Sequence, residues 1–314
     1  MPKPNFFIVG FPKCGTTSLH NYLSQHDQIF MSPIKEPAYF CTDLYRESFE
    51  YHKKKIFKFR YMNKYDSYIN LFEKVNGEKI VGESTPIYIY SNEAPSKIHD
   101  FNPEAQILIV LREPVSYLHS LHSQYLLTQY EREQCLLKAL QLEEKRKKGF
   151  SIPKKASHPS TLFYQDKIKY YRYIEKYYAC FNPQNIKIML FDDLVADPKA
   201  FLQHICDFLD VSPFTDLKLD HQNPRSMAKS QFIHDIKLHI KNTHFFQKID
   251  RVLPHYIHKI LEKTYKSIFY IKHPKDKLSQ DLVYNLKICF KPYVEQTAKT
   301  THIDLMTKWD YHNI

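Results

Sequence analysis

The run Asn5-Phe-Phe-Ile-Val-Gly10 is short, continuous and apolar. A strand of that composition suits burial on both faces, as in a parallel sheet. The turn Phe11-Pro-Lys-Cys-Gly15 follows. Residues 16–23 then take helical spacing, with Leu19, Tyr22 and Leu23 on one face. Strand, loop and helix follow one another without slack. Gly10 and Gly15 are two of only five glycines in 314 residues, so their spacing is informative. Gly-x4-Gly between a buried strand and a helix is the spacing of a phosphate-binding loop. The helix start offers unpaired N–H groups and the positive end of the dipole. Glycine lets the backbone approach an anion, and Lys13 adds a point charge. Thr16, Thr17 and Ser18 add hydroxyl donors.

The loop differs from a magnesium-nucleotide loop in two respects. A Walker A loop puts lysine directly after the second glycine, followed by a serine or threonine for the metal. Here Thr16 follows Gly15, and the lysine stands inside the loop. The second buried strand, residues 105–111, ends in Arg112, where a Walker B strand would carry a metal-directed aspartate. The pattern predicts a site that holds an anion with protein cations and N–H groups, without a metal.

Strands are also predicted at 79–82 and 185–191. Helices are predicted from Pro114 to about Lys148 and over Pro198–Leu209. Buried strands alternating with helices give an α/β fold, a three-layer sandwich around a parallel sheet. Nothing forces a second domain, so residues 1–314 are read as one. Residues 145–158 are basic and read as a surface loop; 50–65 are basic and aromatic. Residues 249–269 have a 3.6-residue apolar period, read as a helix packed on the core, with peripheral membrane contact as the alternative.

The formal charge is +11, which favours anionic partners. No nucleic-acid fold signature is present. The six cysteines, Cys14, Cys41, Cys135, Cys180, Cys206 and Cys289, form no C-x-x-C pair and read as reduced thiols. No signal-peptide pattern opens the chain, and no apolar run approaches the roughly 18 residues of a spanning helix. The expected location is cytoplasmic.

Residues Phe7-Ile-Val-Gly-Phe-Pro-Lys13-Cys14-Gly15-Thr16-Thr17-Ser18 resemble the 5′-phosphosulfate loop of sulfotransferases that use 3′-phosphoadenosine 5′-phosphosulfate (PAPS). Ile109-Val-Leu-Arg112-Glu-Pro-Val-Ser-Tyr-Leu-His-Ser120 is similar to that family's 3′-phosphate motif, with Ser116 as the rival serine. Residues 34–40, 82–88, 190–198 and 205–211 match further family segments, and Asp304–Trp309 loosely resembles the D-L-x-x-W close of many bacterial members. The resemblance spans about residues 5–310 and points to the bacterial, carbohydrate- and heparan-sulfotransferase-like branch.

The resemblance implies the P-loop-like sulfotransferase fold. It implies PAPS as donor, adenosine 3′,5′-bisphosphate (PAP) as product, and an acceptor hydroxyl on a glycan or small molecule. By this likeness Lys13 to Ser18, Arg112 and Ser120 bind the donor. Lys13 neutralises the leaving phosphate, and Glu36 is the first candidate for the general base. His119 and His122 are rival bases, and Glu83 is a second carboxylate. Heparan-type relatives carry a lysine near Glu83-Ser84 that is absent here. Asp192 and Asp193 read as capping or loop-structuring residues, and Arg225 as a late-loop contact to the donor. The competing readings are a P-loop phosphotransferase and a basic surface-binding protein that is not an enzyme. The first lacks a magnesium ligand. The second leaves Gly10, Lys13, Gly15, Arg112 and Ser120 unexplained together.

Overall fold

The computed structural model describes residues 2–53, 61–219 and 278–314. The chain divides into two compact units, residues 1–219 with 280–314, and residues 220–279. The elements described below belong to the first. Arg225 and the periodic stretch 249–269 lie outside the described residues, as do residues 54–60 of the basic stretch 50–65.

Five strands form one parallel sheet: β1 (Phe6–Gly10), β2 (Ile29–Met31), β3 (Ile80–Ser84), β4 (Gln106–Leu111) and β5 (Ile186–Leu190), in the order β2-β3-β1-β4-β5. Position in this order explains the sequence. Strand β1 is central, and every residue in it is buried. Strand β4, its neighbour, is buried from Ile107 to Leu111. The edge strands are more mixed: Phe30 in β2 and Lys187 and Ile188 in β5 are half-buried. Helices flank the sheet, as expected for three layers. These include α1 (Thr16–Leu23), α2 (Thr42–Tyr51), α3 (Tyr65–Ile69), α4 (Ala94–Phe101) and α5 (Pro114–Thr128).

From β3 the chain passes through α4 and crosses β1 to reach β4. All strands run the same way, so the chain leaves β1, β3 and β4 at one sheet edge. A crevice outside the carboxyl ends, where strand order switches, is where such sheets bind ligands.

The helix predicted to reach Lys148 ends at Thr128, where Gln129 takes a left-handed conformation. Two short helices follow, α6 (Leu136–Gln141) and α7 (Glu143–Lys147). The break is held by a buried ion pair. Arg146 Nη1 lies 2.8 Å from Glu131 Oε2, and both side chains are 1% exposed. Glu131 also accepts the Arg132 and Glu133 amides at 2.7 and 2.9 Å. The segment 145–158 is therefore not simply a surface loop: Arg146 and residues 156–158 are buried.

The C-terminal segment braces the sheet edge. The helix Gln280–Thr301 buries Leu286, Phe290 and Val294 and packs on α5 and on α8 (Tyr170–Tyr178). The Trp309 Nε1–H donates to Asp192 Oδ2 at 3.0 Å, and Lys308 pairs with Asp193 at 3.2 Å. The Tyr311 hydroxyl donates to Glu113 Oε1 at 2.8 Å. The acidic pair at 192–193 thus receives the end of the chain, and the residue after Arg112 is held from outside. No described helix is long and apolar enough to cross a membrane.

Candidate active site

Gly15 precedes the first turn of α1 with φ +77°, a conformation that side chains disfavour. A Cβ there would stand 2.6 Å from Leu194 Cδ2, so a larger residue would also have to displace that side chain. No side chain caps α1. At α5, by contrast, Glu113 occupies the first amides, accepting from Val115 and Ser116 at 2.9 and 2.7 Å. The first turn of α1 lacks such a cap and follows β1 at the carboxyl edge of the sheet, which suits it to an anion.

Three cations converge there. Lys13 is half-buried, and its Nζ donates to Gln124 Oε1 of α5 at 3.3 Å. Burial and the neighbouring Arg112 charge bring its ammonium down to about 8, with Lys35 adding to the repulsion. Arg112, at the tip of β4, donates from Nη1 to the Lys13 carbonyl at 3.0 Å and lies 4.7 Å over the Phe191 ring. Among the described residues it forms no ion pair. Tyr170 holds the Arg112 carbonyl at 2.9 Å. The arginine thus ties the second strand tip to the loop, and no described carboxylate neutralises it.

Cys14 is buried, and burial pushes its thiol up to about 12. It is a packing residue with a neutral side chain. Thr16 is buried, and Thr17 and Ser18 are half-buried in the first turn. Ser120 is half-buried on α5 and its rival Ser116 is exposed, which favours Ser120 as the residue turned toward the protein.

Glu36 stands in the loop after β2, with φ +59°. Its N–H donates to the Ser84 carbonyl at 2.9 Å, which joins this loop to the tip of β3. Its Oε1 lies 2.5 Å from Lys35 Nζ; the Lys35 side chain is 8% exposed and that of Glu36 31%. The Glu36 charge acts on Lys13, and, after burial, on the Tyr130 hydroxyl. A half-exposed carboxylate therefore stands beside the anion loop, bound to a largely buried lysine.

The rival bases are placed differently. His122 is buried, its Nε2 lies 2.7 Å from the Glu133 carbonyl, and burial lowers its pKa. It anchors the 129–135 segment. His119 is half-buried on α5. Glu83 is fully buried and accepts three hydroxyls, leaving no route for an acceptor. This hub was not legible in the sequence, because its donors come from Tyr68, Thr85 and Tyr88. Lys35 was seen only as a partner for Glu36. Its charge also bears on Lys13 and on His20, which burial lowers to about 4.

The residues present fit a phosphosulfate donor. An uncapped helix start and three cations would face its anionic groups. The Ser84 hydroxyl, buried at the tip of β3 without a hydrogen-bond partner among the described residues, is a further polar atom at this edge. No group of His, Cys, Asp and Glu among the described residues is placed to hold a metal ion.

A parallel sheet with a Gly-x4-Gly loop between β1 and α1, and an arginine at the tip of β4 that forms no ion pair among the described residues, defines an α/β protein of the P-loop-like class. The chain belongs to the sulfotransferase family, whose sequence profile matches residues 4–216. It is 24% identical to rat (Rattus norvegicus) carbohydrate sulfotransferase 15 over 261 residues, covering 68% of this chain and 45% of that protein. It is 25% identical to mouse (Mus musculus) heparan sulfate glucosamine 3-O-sulfotransferase 5 over 217 residues, covering 67% and 54%. A crystal structure of a sulfotransferase from Alicyclobacillus acidocaldarius is 28% identical, with a TM-score of 0.59, and the match covers 76% of this chain and 94% of that one. The chain spans about half the length, or less, of these curated relatives.

Proposed function

We propose that this chain transfers a sulfuryl group from PAPS to a hydroxyl of a carbohydrate acceptor. The observation that carries the reading is Arg112, without an ion pair among the described residues, tied to the loop of Lys13 at 3.0 Å, with the Lys35–Glu36 pair bearing on the Lys13 charge. The carbohydrate class is supported by the relatives named for carbohydrate and heparan sulfate sulfation.

In this reading the acceptor oxygen attacks sulfur and its proton passes to Glu36. The bond between sulfur and the 5′-phosphate oxygen breaks, and the electron pair leaves on the phosphate of PAP. Lys13 and the α1 amides stabilise that charge where it develops. Arg112, with Ser120, holds the 3′-phosphate. The free cysteines fit a reducing, cytoplasmic setting.

Calorimetric titration with PAP in the absence of magnesium tests the donor site. Native protein is expected to bind PAP more tightly than adenosine 5′-phosphate. Arg112→Ala is expected to lose roughly 10- to 100-fold in PAP affinity, the effect of removing one charge-assisted contact. Equal binding of the two nucleotides, or an unaffected variant, contradicts a 3′-phosphate site.

A further inference from the structure

Glu83 lies in β3 beneath the loop that carries Glu36 and is 0% exposed. Its Oε1 accepts the hydroxyls of Tyr68 and Tyr88, each at 2.9 Å, and its Oε2 accepts Thr85 at 2.7 Å. Two of these hydroxyls face the other way as acceptors. Tyr88 receives the amides of Tyr39 at 2.9 Å and Phe40 at 3.3 Å, and Thr85 that of Ala38 at 3.4 Å. Three consecutive amides, starting two residues after Glu36, thus hang from hydroxyls whose protons go to one carboxylate.

The loop needs such support. Glu36 and Ala38 both have positive φ, +59° and +54°, and neither is glycine. Each such residue costs on the order of 1 kcal/mol or more and persists only where its surroundings impose it. The groups that face Glu83 are Tyr68 from α3, Tyr88 and Thr85 beyond β3, Cys41 before α2 and Tyr177 from α8. All are uncharged near neutrality, and Glu83 forms no ion pair among the described residues. Burial pushes its carboxyl up to about 7.

We propose that Glu83 is the positioning residue of the Glu36 loop: as a carboxylate it orients the Thr85 and Tyr88 hydroxyls, and through them it fixes Glu36 beside the anion loop. The proposal rests on the reading of Glu36 as the base. A carboxylate accepts from all three hydroxyls. A protonated carboxyl, or a glutamine, must donate one bond, so one of the three hydroxyls must turn, and two of the three carry the loop amides.

Hydrogen exchange at residues 38–40 tests this, with the β1 and β4 amides as internal reference. In Glu83→Gln, exchange at 38–40 is expected to accelerate about tenfold or more relative to that reference, the worth of one hydrogen bond. Tyr88→Phe is expected to do the same at Tyr39 and Phe40, and it carries the test if the glutamine variant does not fold. In native protein the same amides are expected to loosen, relative to the reference, as pH falls below about 7. PAP affinity is expected to fall less than transfer in both variants, because Lys13 and Arg112 are held by Gln124 and the Lys13 carbonyl rather than by the hub. Single-turnover transfer is expected to fall about tenfold or more. Unchanged exchange in both variants overturns the proposal. Glu36→Gln measured alongside separates the two readings. If it retains full activity, the base assignment fails. If it is inactive while Glu83→Gln and Tyr88→Phe turn over normally, positioning fails and the base assignment stands.

Discussion

Lys13→Met is expected to fold normally and to lose roughly 100- to 1,000-fold in sulfuryl transfer, the worth of a charge-stabilising donor aimed at a leaving group. Folding is expected to survive because Lys13 makes no ion pair among the described residues. Its ammonium is instead disfavoured by burial and by Arg112, which bring it to about 8. Methionine keeps the apolar stem and removes that cost. The sign follows from linkage. The folded pKa lies below the ordinary 10.5, so the charged form is the one the fold disfavours. That cost to stability is complete below about pH 8 and fades as pH rises from 8 to 10.5. A bound anion reverses the preference. Above pH 8, PAP binding is therefore expected to take up a proton and to weaken with rising pH. Calorimetry in buffers of different ionisation heat reads the uptake directly, and Lys13→Met should abolish it. Wild-type turnover in the variant would remove Lys13 from the chemistry.

Glu36→Gln is expected to lower transfer by roughly 100-fold or more, within the range for loss of a general base. The same substitution should leave PAP binding as tight as before, or tighter. Glu36 is the negative group beside Lys13 and holds Lys35 at 2.5 Å. Removing that charge leaves two cations less compensated and more available to an anion. A purely structural glutamate would behave differently, since unfolding of its loop would weaken catalysis and binding together. Equal losses in kcat and PAP affinity contradict the base role. Single-turnover rates and PAP titration on the same preparation separate the outcomes.

Much of this arrangement was legible in the residues. The central strands announce themselves as unbroken apolar runs because they are buried on both faces, and the strand-loop-helix at 5–23 follows from glycine spacing and periodicity. Edge strand β2 was not legible. It has three residues, one of them half-buried, and carries neither the alternation nor the length that marks a strand. The helix after Arg112 was overextended because residues 114–148 are rich in helix formers. A buried pair between residues 131 and 146 decides the break, and periodicity cannot see it. Loop and arginine are readable as a candidate anion site from their positions at strand ends. The placement of Glu36 was not, because a loop with positive φ at two ordinary residues is imposed from β3 rather than chosen locally. The resemblance supplied that residue, and its amide is tied to the Ser84 carbonyl at the tip of β3.

Sulfuryl transfer is tested most directly by incubating the purified chain with PAPS bearing a radiolabelled sulfuryl group and a panel of oligosaccharides, with native protein and Lys13→Met side by side. The account predicts label on a glycan hydroxyl, one PAP released for each group transferred, no requirement for magnesium, and near-complete loss in the variant. Binding of PAP with no label on any hydroxyl acceptor, or transfer from ATP in place of PAPS, would contradict it.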